Sequence, residues 1–149
     1  MKALLVLDVQ KGYMKKYDAD LINRINQRIQ YAVENKELIV FVKNVKKLRS
    51  GTKIEDFAEG LNICSSNVVY KETASALSSI ELLDILKRNQ VTEIEIVGVD
   101  GNSCVASTAM DAQQCGYQVT LQCQYIGIQN VERFEQRKLV LSEKGIAIV

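Results

Sequence analysis

"EIEIVGVDGNSCVASTAMDAQQCGYQV", residues 93–119, packs a strand, a turn, a helix and the start of another strand into one short unit. Residues 93–99 are a run rich in Ile and Val, the composition of a buried strand. Asp100, Gly101, Asn102 and Ser103 are turn formers. A helix is expected over residues 103–114, where Ala106, Ala109 and Ala112 let it sit close to a sheet. "YQVTLQC" (117–123) returns as a strand. Two strands joined by a covering helix make a parallel crossover.

The same alternation extends in both directions. Upstream lie a strand over 2–8, a helix over about 19–35, a strand over 37–43, a short strand over 67–71 and a helix over 76–89. Leu21, Ile22, Ile25, Ile29, Ala32 and Val33 share one stripe of the first helix, and Leu77, Ile80, Leu83 and Leu86 one stripe of the second. Residues 44–66 are polar and punctuated by glycine, so they are expected to form a loop. Downstream, a helix over about 130–143 leads into "GIAIV" (145–149). The pattern predicts one domain over residues 1–149, a three-layer α/β/α sandwich around a mostly parallel sheet of about six strands.

Composition narrows the function. Nineteen basic and eighteen acidic side chains give a net charge of +1, with no basic excess to draw nucleic acid or acidic lipid. No apolar stretch is long enough to cross a bilayer, and "MKALLVLDVQ" lacks the form of a signal peptide, so a cytoplasmic protein is expected. Cysteines 64, 104, 115 and 123 form no CxxC pair. The chain has no histidine, which excludes Ser-His-Asp and Cys-His catalysis within one chain and removes the usual nitrogen ligand of zinc. No metal and no cofactor are expected. Acid–base work falls to carboxylate, lysine, tyrosine or thiol.

In a parallel sheet, ligands bind beyond the carboxyl ends of the strands. Three reactive side chains stand just past such ends: Asp8, Lys71 and Cys104. Each has an ordinary reading too. Asp8 suits a cap or an exposed turn, Lys71 a surface position, and Cys104 a space-filling thiol beneath a helix. Cys115 and Cys123 fit that last description well, and Cys64 lies in the loop. Taken together, the three can cooperate. Lys71 and the helix N-terminus would favour the Cys104 thiolate, and Asp8 would take the thiol proton and return it to a leaving group. At a solvent-accessible rim, substitutions of these residues would cost only about 1 kcal/mol of stability. "DVQKGY" (8–13) lacks the glycines of a phosphate loop, which disfavours a nucleotide site.

Four segments resemble the isochorismatase-like cysteine hydrolases, a family that includes nicotinamidases and related amidases. "LLVLDVQKGY" (4–13) is similar to the opening strand with Asp-x-Gln and an aromatic three residues later. "VVYKETASAL" (68–77) resembles the strand with its lysine. Residues 93–119 resemble the segment with the nucleophile, through Cys-Val-x-x-Thr-Ala-x-Asp-Ala, and "VLSEKGIAIV" suits the closing helix and strand. The resemblance implies a Rossmann-like hydrolase fold with Cys104 as nucleophile, Asp8 as proton shuttle and Lys71 as electrostatic partner. It also implies a cis peptide between Val99 and Asp100, an oxyanion hole from the N–H groups of Asp100 and Cys104, and pocket walls at Tyr13 and Leu77. Hydrolysis of a small amide through an acyl thioester follows, in a protein expected to form homo-oligomers.

The chain departs from the family in three places. Tyr13 and Leu77 stand where phenylalanine is common. Asp100 puts a carboxylate in the turn before the nucleophile, where it would repel an anionic substrate or raise the thiol pKa. The chain is also short between its second and third strands, where nicotinamidases carry metal-binding histidines. The rival readings are a binding or oligomerisation protein that kept the fold, marked by an unreactive Cys104, and a vinyl-ether hydrolase, which would not need that thiol.

Overall fold

A computed structural model describes the backbone of residues 1–149 and every side chain except that of Lys47. The chain runs β1 (Lys2–Leu7), α1 (Leu21–Glu34), β2 (Leu38–Leu48), β3 (Gly51–Ile54), β4 (Val68–Lys71), α2 (Ile80–Arg88), β5 (Glu93–Val99), α3 (Ala106–Gln114), β6 (Gln118–Gly127), α4 (Val131–Glu143) and β7 (Ala147–Ile148). The seven strands form one sheet in the order β3-β2-β1-β5-β6-β7, with β4 also paired to β2. Every pairing is parallel except β2 with β3.

Two apolar cores sandwich the sheet. Leu4 and Val6 of β1 face α1, where Leu21, Ile25, Ile29 and Ala32 are buried. Ala3, Leu5 and Leu7 alternate to the other face and meet Leu82 and Leu86 of α2, the alanines of α3, and Leu141 of α4. This period-two split is what a strand buried on both faces requires.

The stretch over 44–66 is not all loop. β2 runs on to Leu48 and turns back through β3, pairing Val45 with Ile54 and Leu48 with Gly51. Its polarity concealed the hairpin because all four β3 residues are exposed, leaving no buried face to pattern the sequence. β6 likewise reaches Gly127, past a register shift opposite β5.

The order places the end of β1 at the switch point, with β2 on one side and β5 on the other. There β5 crosses close to β1 at Gly98, whose φ is +115°. A Cβ at Gly98 would collide with the backbone carbonyl of Leu7, so only glycine fits.

Candidate active site

Asp8 follows β1 with φ +57°, an uncommon backbone for a residue with a side chain and one that Asp tolerates best. Its neighbour Gln10 fixes the segment. The fully buried Gln10 side chain donates from Nε2 to the carbonyls of Asn44 (3.2 Å) and Glu55 (3.1 Å), and its Oε1 accepts from Asn44 N–H (2.8 Å). The Gln of Asp-x-Gln thus ties the end of β1 to β2 and to the segment after β3.

Lys71 closes β4 and is only 1% exposed, beside an Asp8 that is 2% exposed. Neither occupies an open rim, which corrects the surface reading of both. Lys71 Nζ lies 3.1 Å from Asp8 Oδ2, 3.2 Å from Cys104 Sγ and 3.1 Å from the Thr73 carbonyl. An ammonium buried this deeply needs such partners, because desolvating an unpaired charge is very costly. Asp8 Oδ1 is buried with no hydrogen-bond partner.

Cys104 lies in a π-helical turn over Gly101–Val105 that precedes α3, rather than in the first turn of the α-helix. The turn is closed by the Asp100 carbonyl, which accepts from the N–H groups of Ser103 and Val105 (both 3.1 Å). The Val99–Asp100 peptide is cis. Behind the turn, Thr108 Oγ1 of α3 accepts from Ala76 N–H (3.0 Å) and joins the helix to the segment after β4.

Electrostatics correct the expectation of a favoured thiolate. Burial pushes the Cys104 thiol above its ordinary pKa, the Asp8 charge adds to the rise, and Lys71 opposes both without cancelling them. Burial likewise raises the Asp8 carboxyl, against the lowering influence of Lys71. Burial thus works against the charged form of both groups, the thiolate of Cys104 and the carboxylate of Asp8.

The Asp100 carboxylate is fully engaged. Oδ1 accepts from Tyr17 Oη (3.1 Å) and Gln129 N–H (2.9 Å), and Oδ2 accepts from Asn102 N–H (2.9 Å). The charges that act on the thiol are those of Asp8 and Lys71. Asp100 thus clamps together the segment before α1, the nucleophile turn and the start of α4.

A cleft of about 880 Å³ opens over Cys104, with Asp8, Tyr13 and Asp100 in its lining. Leu77 does not line it. That side chain is 7% exposed and packs in the core beneath α2 and α3, turned inward by its place in a short 3₁₀ turn. The sequence reading missed Lys16, Tyr17 and Arg133, which also line the cleft. The aromatic expected after Asp-x-Gln was Tyr13, and nothing local marked Lys16, Tyr17 or Arg133.

The isochorismatase domain profile matches residues 2–122. Among solved structures, the pyrazinamidase of Pyrococcus horikoshii in complex with zinc is 25% identical, with a TM-score of 0.83 over 99% of this chain and 98% of that one. An isochorismatase family protein from Desulfovibrio vulgaris gives 0.87 at 18% identity, over 99% and 93% of the two chains. N-carbamoylsarcosine amidase from Thermoplasma acidophilum gives 0.82 at 16%, over 99% and 94%. At those last two identities the likeness is one of fold. A search of curated proteins found no significant match.

A zinc ion like that of the pyrazinamidase does not fit the residues present. The chain has no histidine, and among the described residues no three Cys, Asp or Glu side chains converge closely enough to hold a metal. Among them, too, no helix is long and apolar enough to cross a membrane. With the profile spanning most of its length and a sheet of the same architecture, the chain belongs to the isochorismatase family and carries that family's hydrolase fold.

Proposed function

We propose that the protein is a cysteine hydrolase that splits the C–N bond of a small amide through an acyl thioester, with Asp8, Lys71 and Cys104 as its catalytic residues. The observation that carries this reading is the single ammonium of Lys71 within 3.2 Å of both a buried carboxylate and a thiol beneath an open cleft. Solved neighbours that are amidases support the reaction class.

The thiol proton passes to Asp8 as Cys104 Sγ attacks the carbonyl carbon, and Lys71 stabilises the developing thiolate. The N–H groups of Asp100 and Cys104 hold the oxyanion. Collapse breaks the C–N bond, and Asp8 returns its proton to the departing amine. Water then attacks the thioester with Asp8 as base, the C–S bond breaks, and the acid leaves as the thiol regains its proton. Tyr13 forms part of the pocket wall. No step passes through a metal, so turnover persists in excess chelator. The working form is a homo-oligomer in the cytoplasm, with light scattering as the check on assembly.

The test is a panel of small amides assayed for amine release, with intact-mass detection of the trapped acyl adduct. Thiol acidity cannot separate an active site from a retired one, since burial raises the Cys104 pKa in both. An adduct on the wild type that is missing from Cys104→Ser is expected. An amide hydrolysed at an undiminished rate by Cys104→Ser overturns the reading.

A further inference from the structure

Among the charges around the cleft, two cations lack a direct partner. Asp8 is matched by Lys71 at 3.1 Å. The Asp100 carboxylate is taken up by three donors, from Tyr17, Asn102 and Gln129. The charged side chains left in the lining are then Lys16, at the end of the Met14–Lys16 turn, and Arg133, in the first turn of α4. Neither forms an ion pair among the described residues, whereas the exposed Arg88 and the half-buried Lys138 each reach a carboxylate nearby on their own helix. Two cations from separate elements thus face one cleft without an ion-pair partner, and against the single remaining carboxylate, Asp100, they leave it net positive.

We infer that the substrate is an anionic amide, one whose acyl or amine portion carries a carboxylate held by Lys16 and Arg133 while its amide carbonyl lies at Cys104. This specificity rests on the cysteine-hydrolase reading above. A guanidinium offers parallel N–H donors that match a carboxylate, and an ammonium adds a second, less directional contact. A cleft with a net positive charge also concentrates anionic ligands. The carboxylate of Asp100 keeps its charge and offsets part of this, but its hydrogen bonds go to Tyr17, Asn102 and Gln129 and it forms no ion pair with Lys16 or Arg133. Polar residues elsewhere in the lining, Asn44, Asn102, Ser103 and Gln129, suit a small polar ligand, beside the aromatic rings of Tyr13 and Tyr17.

The experiment separates binding from turnover. Calorimetry on Cys104→Ala measures affinity for malonamate, succinamate and N-acetylglycine, each against a neutral amide of matching shape, with butyramide paired to succinamate. At least one anionic probe should bind about tenfold more tightly than its neutral partner at low salt, and the preference should shrink in 0.5 M salt. Lys16→Gln and Arg133→Gln should each reduce the ratio roughly fivefold, and Lys138→Gln, outside the cleft, should leave it intact. Equal affinities for every pair, no binding of any anionic probe, or a ratio unmoved in the Lys16→Gln/Arg133→Gln double variant overturns the inference. Wild-type turnover reads the other proposal: anionic preference without hydrolysis or adduct sinks the thioester mechanism alone, and hydrolysis without anionic preference sinks the specificity alone.

Discussion

Asp8 and Cys104 share the use of one proton, and this shapes the expected pH dependence. The productive free enzyme has Asp8 ionised and Cys104 protonated. Lowering the pH through the Asp8 pKa removes the base, and raising it through the Cys104 pKa removes the proton owed to the amine. Because burial raises both values, kcat/KM should follow a bell whose acid limb lies above the ordinary carboxylate range and whose alkaline limb lies above that of a free thiol. A thiolate-driven enzyme would instead gain activity as its cysteine ionised, and a pH–rate profile distinguishes the two. Lys71→Met should act twice. It removes the cation that stabilises the attacking thiolate, moving the alkaline limb higher, and it strands the Asp8 carboxylate in the interior. Breaking a buried pair costs about 3–5 kcal/mol, so this variant should lose much more stability than the ~1 kcal/mol typical of a surface change. Urea denaturation checks the second effect, and retained wild-type stability would contradict the buried pair.

At the scale of elements, the site depends on three segments meeting at one carboxylate. Asp100 joins Tyr17 before α1, Asn102 in the nucleophile turn and Gln129 in the connection from β6 to α4. Asp100→Ala would leave these donors without their acceptor and free the turn that carries Cys104. Misplacing a reacting atom by about 1 Å can cost about 100-fold in rate, so kcat should fall by about 10- to 100-fold in this variant. Tyr17→Phe removes one donor only and should cost less, with stability lowered by about 1–2 kcal/mol. Steady-state kinetics on both variants test the clamp, and a wild-type kcat in Asp100→Ala refutes it. The sequence marked Asp100 as a departure but read its charge as a liability. Two of its three partners, Tyr17 and Gln129, lie 83 and 29 residues away along the chain, so no local pattern announced them.

Across the whole molecule, the opposite end of the sheet carries its own buried charges. Arg28 of α1 bonds Glu95 of β5 (Nε to Oε2, 3.0 Å; Nη2 to Oε1, 2.9 Å) and also Glu37 (2.8 Å), with Lys2 3.1 Å from Glu95. Arg28→Met should destabilise the fold by up to about 3–5 kcal/mol, because it leaves the fully buried Glu95 with only Lys2 and Gln122 as partners, and Arg28→Met combined with Glu95→Leu should recover much of that loss, as apolar replacement of both partners often does. Thermal and denaturant unfolding of the single and double variants measure it. A double variant no better than the single would show that the network does more than satisfy its own charges. The sequence by itself determined the alternation of strands and helices, the faces they bury, and the positions of Asp8, Lys71 and Cys104 beyond strand ends. Those features follow from side-chain periodicity and polarity, which are local. Tertiary structure alone decided that Lys71 is buried, that Leu77 belongs to the core, that the thiol pKa rises, that Asp100 is a clamp, and that Lys16 and Arg133 share the cleft. Desolvation and pairing are set by neighbours distant in the chain, and only the packed sheet brings those neighbours within a few ångströms.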